Sequence, residues 1–182
     1  MLSPAIGQSL LKLARESILA RFGHAKPELP DAPGLNEKRG VFVTLHKHGE
    51  LRGCIGYIRG YKSVAQSVAE MAQSAAFHDP RFPPVKESEL RDIQIEISVL
   101  SELIPVAETS EIEIGRDGLL LDHPHGSGVF LPQVPVEWNW DLPNYLTQLC
   151  RKAGVHNRAW EDREARLYRF WAEVFAETDF LP

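Results

Sequence analysis

The chain has 182 residues, of which 43% are apolar and 25% charged, with a formal net charge of -5. That is enough apolar material for one packed domain. The acidic balance argues against a nucleic-acid partner, and no apolar run is long enough to span a bilayer. The opening "MLSPAIGQSLLKLARESILARFG" has no basic segment followed by an unbroken apolar stretch, so a signal peptide is not expected. Two cysteines in such a chain point to free thiols in a reducing cytoplasm.

Residues 5–22 carry an amphipathic helical pattern through Ile6, Leu10, Leu13 and Ser17, widened by Leu11, Ala14, Ile18 and Phe22. "GHAKPELPDAPGLNEKRG" follows, and its three prolines make it an extended connector, so residues 1–40 form a helix and a strap. The remainder, 41–182, completes a single domain. "VFVTLHKHGELRGCIGYI" predicts a hairpin turning at "KHGE", where Gly49 takes positive φ. Ser63 and Gln66 form a capping box for an Ala-rich helix reaching about Phe77, whose small face permits close approach to a sheet.

"HDPRFPPV" ends that helix in a proline-pinned loop, with a short helical turn expected around 88–90. "DIQIEISVL" alternates as a strand, with Ile93, Ile95, Ile97 and Val99 on one face and Gln94, Glu96 and Ser98 on the other. Short strands are expected at 112–114, 119–121 and 129–131. A helix follows with Asp141 as cap, Pro143 in its first turn, Leu142, Leu146, Leu149, Cys150 and Ala153 as stripe, and Gly154 as stop. "RLYRFWAEVF" closes the chain as one strand. Strands and helices mix without a βαβ beat, which predicts an α+β fold with a mostly antiparallel sheet flanked by helices.

In "LRGCIGY" a cysteine stands between two glycines in a strand, where glycine otherwise weakens packing. In a regular strand Arg52, Cys54 and Gly56 share a face, so Arg52 is one step from the thiol and would favour thiolate. Gly56 would leave space beside the sulfur, and Gly53 would admit a bulge or another backbone. The competing reading makes Cys54 a buried apolar contact and the glycines a seat for the Ala-rich helix. Asp79 and Arg81 form either a loop-fixing pair or a site in which Asp79 orients Arg81 and Arg81 holds an anionic ligand. His78 is weighed as a base for Cys54, and Glu96 as an acid or base or ligand contact. Cys150 lies on an apolar stripe and is core filler. Trp138 and Trp140 cover a core edge or line a cleft. The pairs His46/His48 and His123/His125 could hold a metal only with further ligands, and no spacing supplies a closed set, so neither metal nor cofactor is expected.

"LRGCIG" at 51–56, with "GVFVTL", "DPRFPPV", "IQIEISVLS", "GRDGLLL", "LPQV", "LCRKAGV" and Trp160 in order along the chain, resembles the AMMECR domain family, the protein A component of AmmeMemoRadiSam systems. The resemblance implies an α+β domain in two unequal lobes with the Arg-Gly-Cys segment near a cleft, and Memo-like and radical-SAM proteins as partners. It implies no reaction. The residues then support two expectations. One is a thiol-dependent enzyme or enzyme component acting on a small molecule or peptide, with Cys54, Arg52 and Asp79 catalytic and Arg81, Gly53, Gly56 and Glu96 binding. The other is a non-catalytic adaptor that uses the LRGCIG groove.

Overall fold

The computed structural model of the protein describes residues 1–180. The chain divides into two compact units: Met1–Leu100 with the segment from Glu173 onward, and Ser101–Ala172. Each is built on a four-stranded sheet, and the fold is α+β.

In the first unit, helix α1 (Pro4–Leu19) starts where the Ser3 hydroxyl accepts the Ile6 N–H, and Pro4 sits in the first turn where its missing donor is harmless. It continues as a 3₁₀ turn over Ala20–Phe22 and ends at Gly23, φ 91°. Strands β1 (Val41–Lys47) and β2 (Glu50–Tyr57) form the expected hairpin. Both turn residues have positive φ, His48 at 52° and Gly49 at 82°, the geometry that matches strand twist in a two-residue turn. A left-handed histidine is strained where asparagine is tolerated. His48→Asn should therefore raise stability by about 0.5 kcal/mol, read as a melting-temperature rise of roughly 1–2 °C.

Helix α2 (Val64–Phe77) begins with both arms of the Ser63/Gln66 capping box formed. Strands β3 (Ile93–Leu100) and β8 (Ala172–Ala176) complete a sheet of order β2-β1-β3-β8, in which β1 pairs antiparallel with β2 and β3. Val41, Val43 and Leu45 on β1 and Ile93, Ile95, Ile97 and Val99 on β3 form one buried face. They pack with Leu10, Leu13 and Ala14 of α1 and Val68, Met71, Ala72 and Ala75 of α2, burying the apolar stripes of both helices in one core.

In the second unit, β4 (Ile104–Pro105), β5 (Gly118–His123), β6 (Gly126–Phe130) and β7 (Arg166–Phe170) form a sheet of order β4-β7-β5-β6, antiparallel throughout. The short α3 (Val134–Glu137) precedes α4 (Leu142–Lys152), which Asp141 caps by accepting the Asn144 N–H. Leu119, Leu121, Tyr145, Leu146, Leu149 and Cys150 make its core. Cys150 is fully buried there. Glycines 126 and 128 leave room for the α4 end, since a Cβ at Gly126 would overlap the Ala153 carbonyl oxygen.

Two expected strands differ. Residues 112–114 do not pair, because the buried Asp117 carboxylate takes the Glu113 N–H at 2.9 Å and folds the segment into a turn. The closing strand is broken at Trp171, whose N–H goes to the Ser101 hydroxyl and whose carbonyl accepts the Ser101 N–H, so β7 and β8 join different sheets. Among the described residues no helix is long and apolar enough to cross a membrane.

Candidate functional site

The register places Cys54 on β2 opposite Thr44 on β1, and Thr44 opposite Glu96 on β3. Alternation sets these three in a row on the sheet face away from the Val43/Ile97 core layer. The Thr44 hydroxyl donates to Cys54 Sγ at 3.2 Å. This close approach follows from the strand geometry. The Cys54 peptide groups point out of the sheet edge rather than toward β1, and side chains of such non-hydrogen-bonded pairs stand nearer each other.

The 79–81 loop receives those peptide groups. Asp79 Oδ2 accepts the Cys54 N–H at 2.9 Å, and Arg81 Nη2 donates to the Cys54 carbonyl at 3.2 Å. Asp79 Oδ1 takes the Arg81 N–H and Nε at 3.1 and 3.0 Å, and Oδ2 takes Arg81 Nη2 at 2.7 Å. Val85 N–H returns to the Ala76 carbonyl, closing the loop on α2. The Asp79 side chain is 1% exposed and that of Arg81 54%. The Arg81 hydrogen bond, with the Cys54 and Arg81 N–H groups, outweighs burial and holds the Asp79 carboxyl at about 2. Asp79 is thus a permanent anion that orients Arg81 and locks the edge strand.

Burial pushes the Cys54 thiol up from its ordinary value. The Thr44 hydrogen bond and the Arg81 charge pull it down by less, while Asp79 and Glu96 add to the rise. The resting sulfur is a neutral thiol. Arg52 does not play the part that regular alternation assigns it. Leu45 pairs with Gly53 and His46 with Leu51, so Arg52 is the extra residue of a β-bulge. Its guanidinium turns to Glu89, Nε to Oε1 at 3.1 Å and Nη2 to Oε2 at 3.0 Å, and Lys47 joins at 2.9 Å. Arg52 foremost, then backbone and Lys47 hydrogen bonds, hold the Glu89 carboxyl at about 2.

The space above both glycines is filled. A Cβ at Gly53 would overlap the Ala75 carbonyl oxygen of α2, and one at Gly56 would overlap the Phe42 ring and the Val41 carbonyl oxygen. Neither leaves an opening for a ligand or a partner backbone. His78 is exposed at the end of α2. Glu96 is half-buried beside Thr44. Thr44 and Glu89 escaped the sequence reading. The threonine was visible as a polar residue between Val43 and Leu45, whereas Glu89 gives no local signal of its distant partners.

His46 stands on β1 but His48 lies in the turn, 4.0 Å from Asp92, so the pair shares no strand face. Among the described residues no group of three or more His, Cys, Asp or Glu side chains is arranged to hold a metal ion. Trp138 and Trp140 stack at 6.2 Å; Trp140 contacts Phe130, and Trp138 is 68% exposed.

The AMMECR1 family model matches residues 11–175. A protein of Thermococcus onnurineus is 46% identical over 184 residues, covering 94% of this chain and 90% of that protein. One of Methanothermobacter thermautotrophicus is 43% identical, covering 94% of each. The crystal structure of uncharacterized protein PH0010 from Pyrococcus horikoshii superposes with a TM-score of 0.86 at 38% identity, over 94% of this chain and 91% of that one.

Proposed function

The chain belongs to the AMMECR1 family, and from that premise we propose that it is a thiol-dependent enzyme, or a component of one, acting through Cys54 on a small molecule or peptide group. The observation that carries this reading is the row Cys54–Thr44–Glu96, whose cysteine backbone is clamped on both its N–H and its carbonyl by Asp79 and Arg81. A thiol held this rigidly presents one trajectory to a ligand. The buried Ser98 hydroxyl, on the same face and without a partner among the described residues, offers a further hydrogen-bonding contact.

Asp79 is ionised and saturated with donors, so it is no base. Glu96 is the other carboxylate that acts on the sulfur. In the proposed step Sγ adds to an electrophilic carbonyl carbon. The S–C bond forms, the S–H bond breaks, the carbonyl π pair moves to oxygen, and the proton passes to Glu96 directly or through one water. The Thr44 hydroxyl supports the sulfur as charge develops. Arg81, half in solvent, offers the outer side of its fork to an anionic part of the ligand. In this reading Arg52 shapes the bulge and does not touch the reaction. The chain works with a Memo-like and a radical-SAM protein, and radical chemistry resides in the latter, because two cysteines cannot make the cysteine triplet that a radical-SAM cluster needs.

The burial that raises the thiol favours the second reading, an adaptor in which Cys54 is an apolar contact. Alkylation of Cys54 against pH, in a Cys150→Ala background, tests the electrostatics that both readings share, and the Cys54→Ser variant separates the two. In both readings the midpoint lies above the usual thiol range, and Arg52→Gln should leave it in place. Arg81→Gln should raise it and Glu96→Gln should lower it, since the first removes a favourable charge and the second an unfavourable one. In cells that depend on the protein, Cys54→Ser should abolish function. Full function with serine would discard the enzyme reading and leave the adaptor.

A further inference from the structure

The second unit carries a polar cavity of about 920 Å³, lined by His123, His125, His156, Asp162, Arg163 and Glu164. Its hydrogen bonds have a fixed direction. The His125 backbone N–H donates to His123 Nδ1 at 3.2 Å, so that nitrogen is an acceptor and the His123 proton sits on Nε2. Nε2 then donates to Asp162 Oδ2 at 3.2 Å. His156 Nε2 meets the same oxygen at 2.8 Å, and because a carboxylate only accepts, that nitrogen also carries a proton. His156 Nδ1 is the ring atom left for a ligand.

The two imidazoles are unequal. The His123 side chain is 6% exposed and that of His156 61%. A buried ring thus steadies a carboxylate, and the carboxylate aims an exposed ring, the logic by which a positioned acid or base is built. His156 first, then His123, hold the Asp162 carboxyl below its ordinary range, so the acceptor is ionised at neutral pH. Both Nε2 atoms are thus engaged by Asp162.

The ligand must satisfy mixed charge. Arg163 on the wall suits a planar anion contact, while Asp162 and Glu164 oppose a fully ionised dianion. A phosphoryl group meets both conditions, since it can keep one proton while its other oxygens carry charge. One proton can be shared between a phosphoryl oxygen and His156 Nδ1 while other oxygens face Arg163. The cavity has room for an organic substituent. We propose that this cavity binds phosphate or a small phosphomonoester, gripped by Arg163 and sharing a proton with His156.

The test is calorimetric titration of the full chain at neutral pH with inorganic phosphate, sulfate and phosphoserine. Sulfate has the shape of phosphate but no proton to share. Phosphate should bind about tenfold tighter than sulfate, and His156→Gln should erase that preference. Arg163→Gln should weaken both anions, and Asp162→Asn should weaken phosphate by releasing the His156 ring. Tighter binding of phosphoserine than of phosphate would identify the organic ester as the natural occupant, and the reverse would identify the free ion. Equal affinity for sulfate, a preference that survives His156→Gln, or no binding at millimolar concentration would overturn the proposal. His156 and Arg163 are exposed, so their variants keep the fold and the readout stands.

Discussion

Asp79→Asn should lower the folding free energy by about 2–3 kcal/mol at neutral pH, and the deficit should shrink as the solution is acidified. The carboxyl sits at about 2 in the folded chain against an ordinary 3.8. At roughly 1.4 kcal/mol per pH unit of displacement, that gap accounts for the expected size. A depressed folded value makes the contribution complete above the unfolded value and lost as pH falls from about 4 toward 2. Glu89, also held at about 2 from an ordinary 4.5, acts in the same window through Arg52. Asparagine keeps the shape but turns its amide toward the Cys54 and Arg81 donors, leaving one of them unpaired at a buried position. Urea unfolding of both proteins at neutral pH and in steps toward pH 3 gives the answer. A deficit that does not narrow with acid would mean that packing of the loop, and not the ionised carboxylate, supplies the stability. The same variant bears on the site, because Asp79 sets both the Cys54 backbone and the direction of Arg81.

How much of this arrangement could be read from residues alone depends on the range of the interaction. The helix starts at Ser3 and Ser63, the hairpin turn at Gly49, and the alternation of Ile93, Ile95, Ile97 and Val99 are local matters, and each formed as its pattern dictates. The failures are non-local. The alternation argument that set Arg52 beside Cys54 assumed an unbroken ladder, and one bulge rotates Arg52 out of it toward Glu89. The strand expected at 112–114 was lost to a side chain beyond the segment, Asp117, which captures the Glu113 N–H. The closing strand reads as continuous because its alternation is continuous, and only the Ser101 contact at Trp171 divides it. Asp79 and Arg81 were legible as a pair from their spacing. That their combined target is the backbone of Cys54 was not, because no pattern in one dimension links residue 54 to residue 79.

Gly53→Ala should destabilise the protein by about 3 kcal/mol. The reason is the nature of the obstruction. At Gly53 the new methyl meets the Ala75 backbone carbonyl, so α2 must shift as a body and loosen the packing of Val68, Met71, Ala72 and Ala76. At Gly56 it meets both the Phe42 ring and the Val41 carbonyl oxygen of the neighbouring strand, so that position is closed as well, but by β1 rather than by a helix. Alanine would otherwise gain roughly 0.5–1 kcal/mol over glycine in a strand, so the sign of the measured change decides the matter. Thermal unfolding should show a fall of roughly 6–12 °C for Gly53→Ala. A neutral or stabilising result would mean that the space above Gly53 is open, and would restore the idea of backbone access at the motif. The expected loss instead assigns the two halves of "LRGCIG" different work. Gly53 seats the Ala-rich helix whose end carries Asp79, and Cys54 faces the other way, toward Thr44. The glycine sets how closely α2 approaches β2, and through that distance it sets whether Asp79 reaches the Cys54 N–H at all.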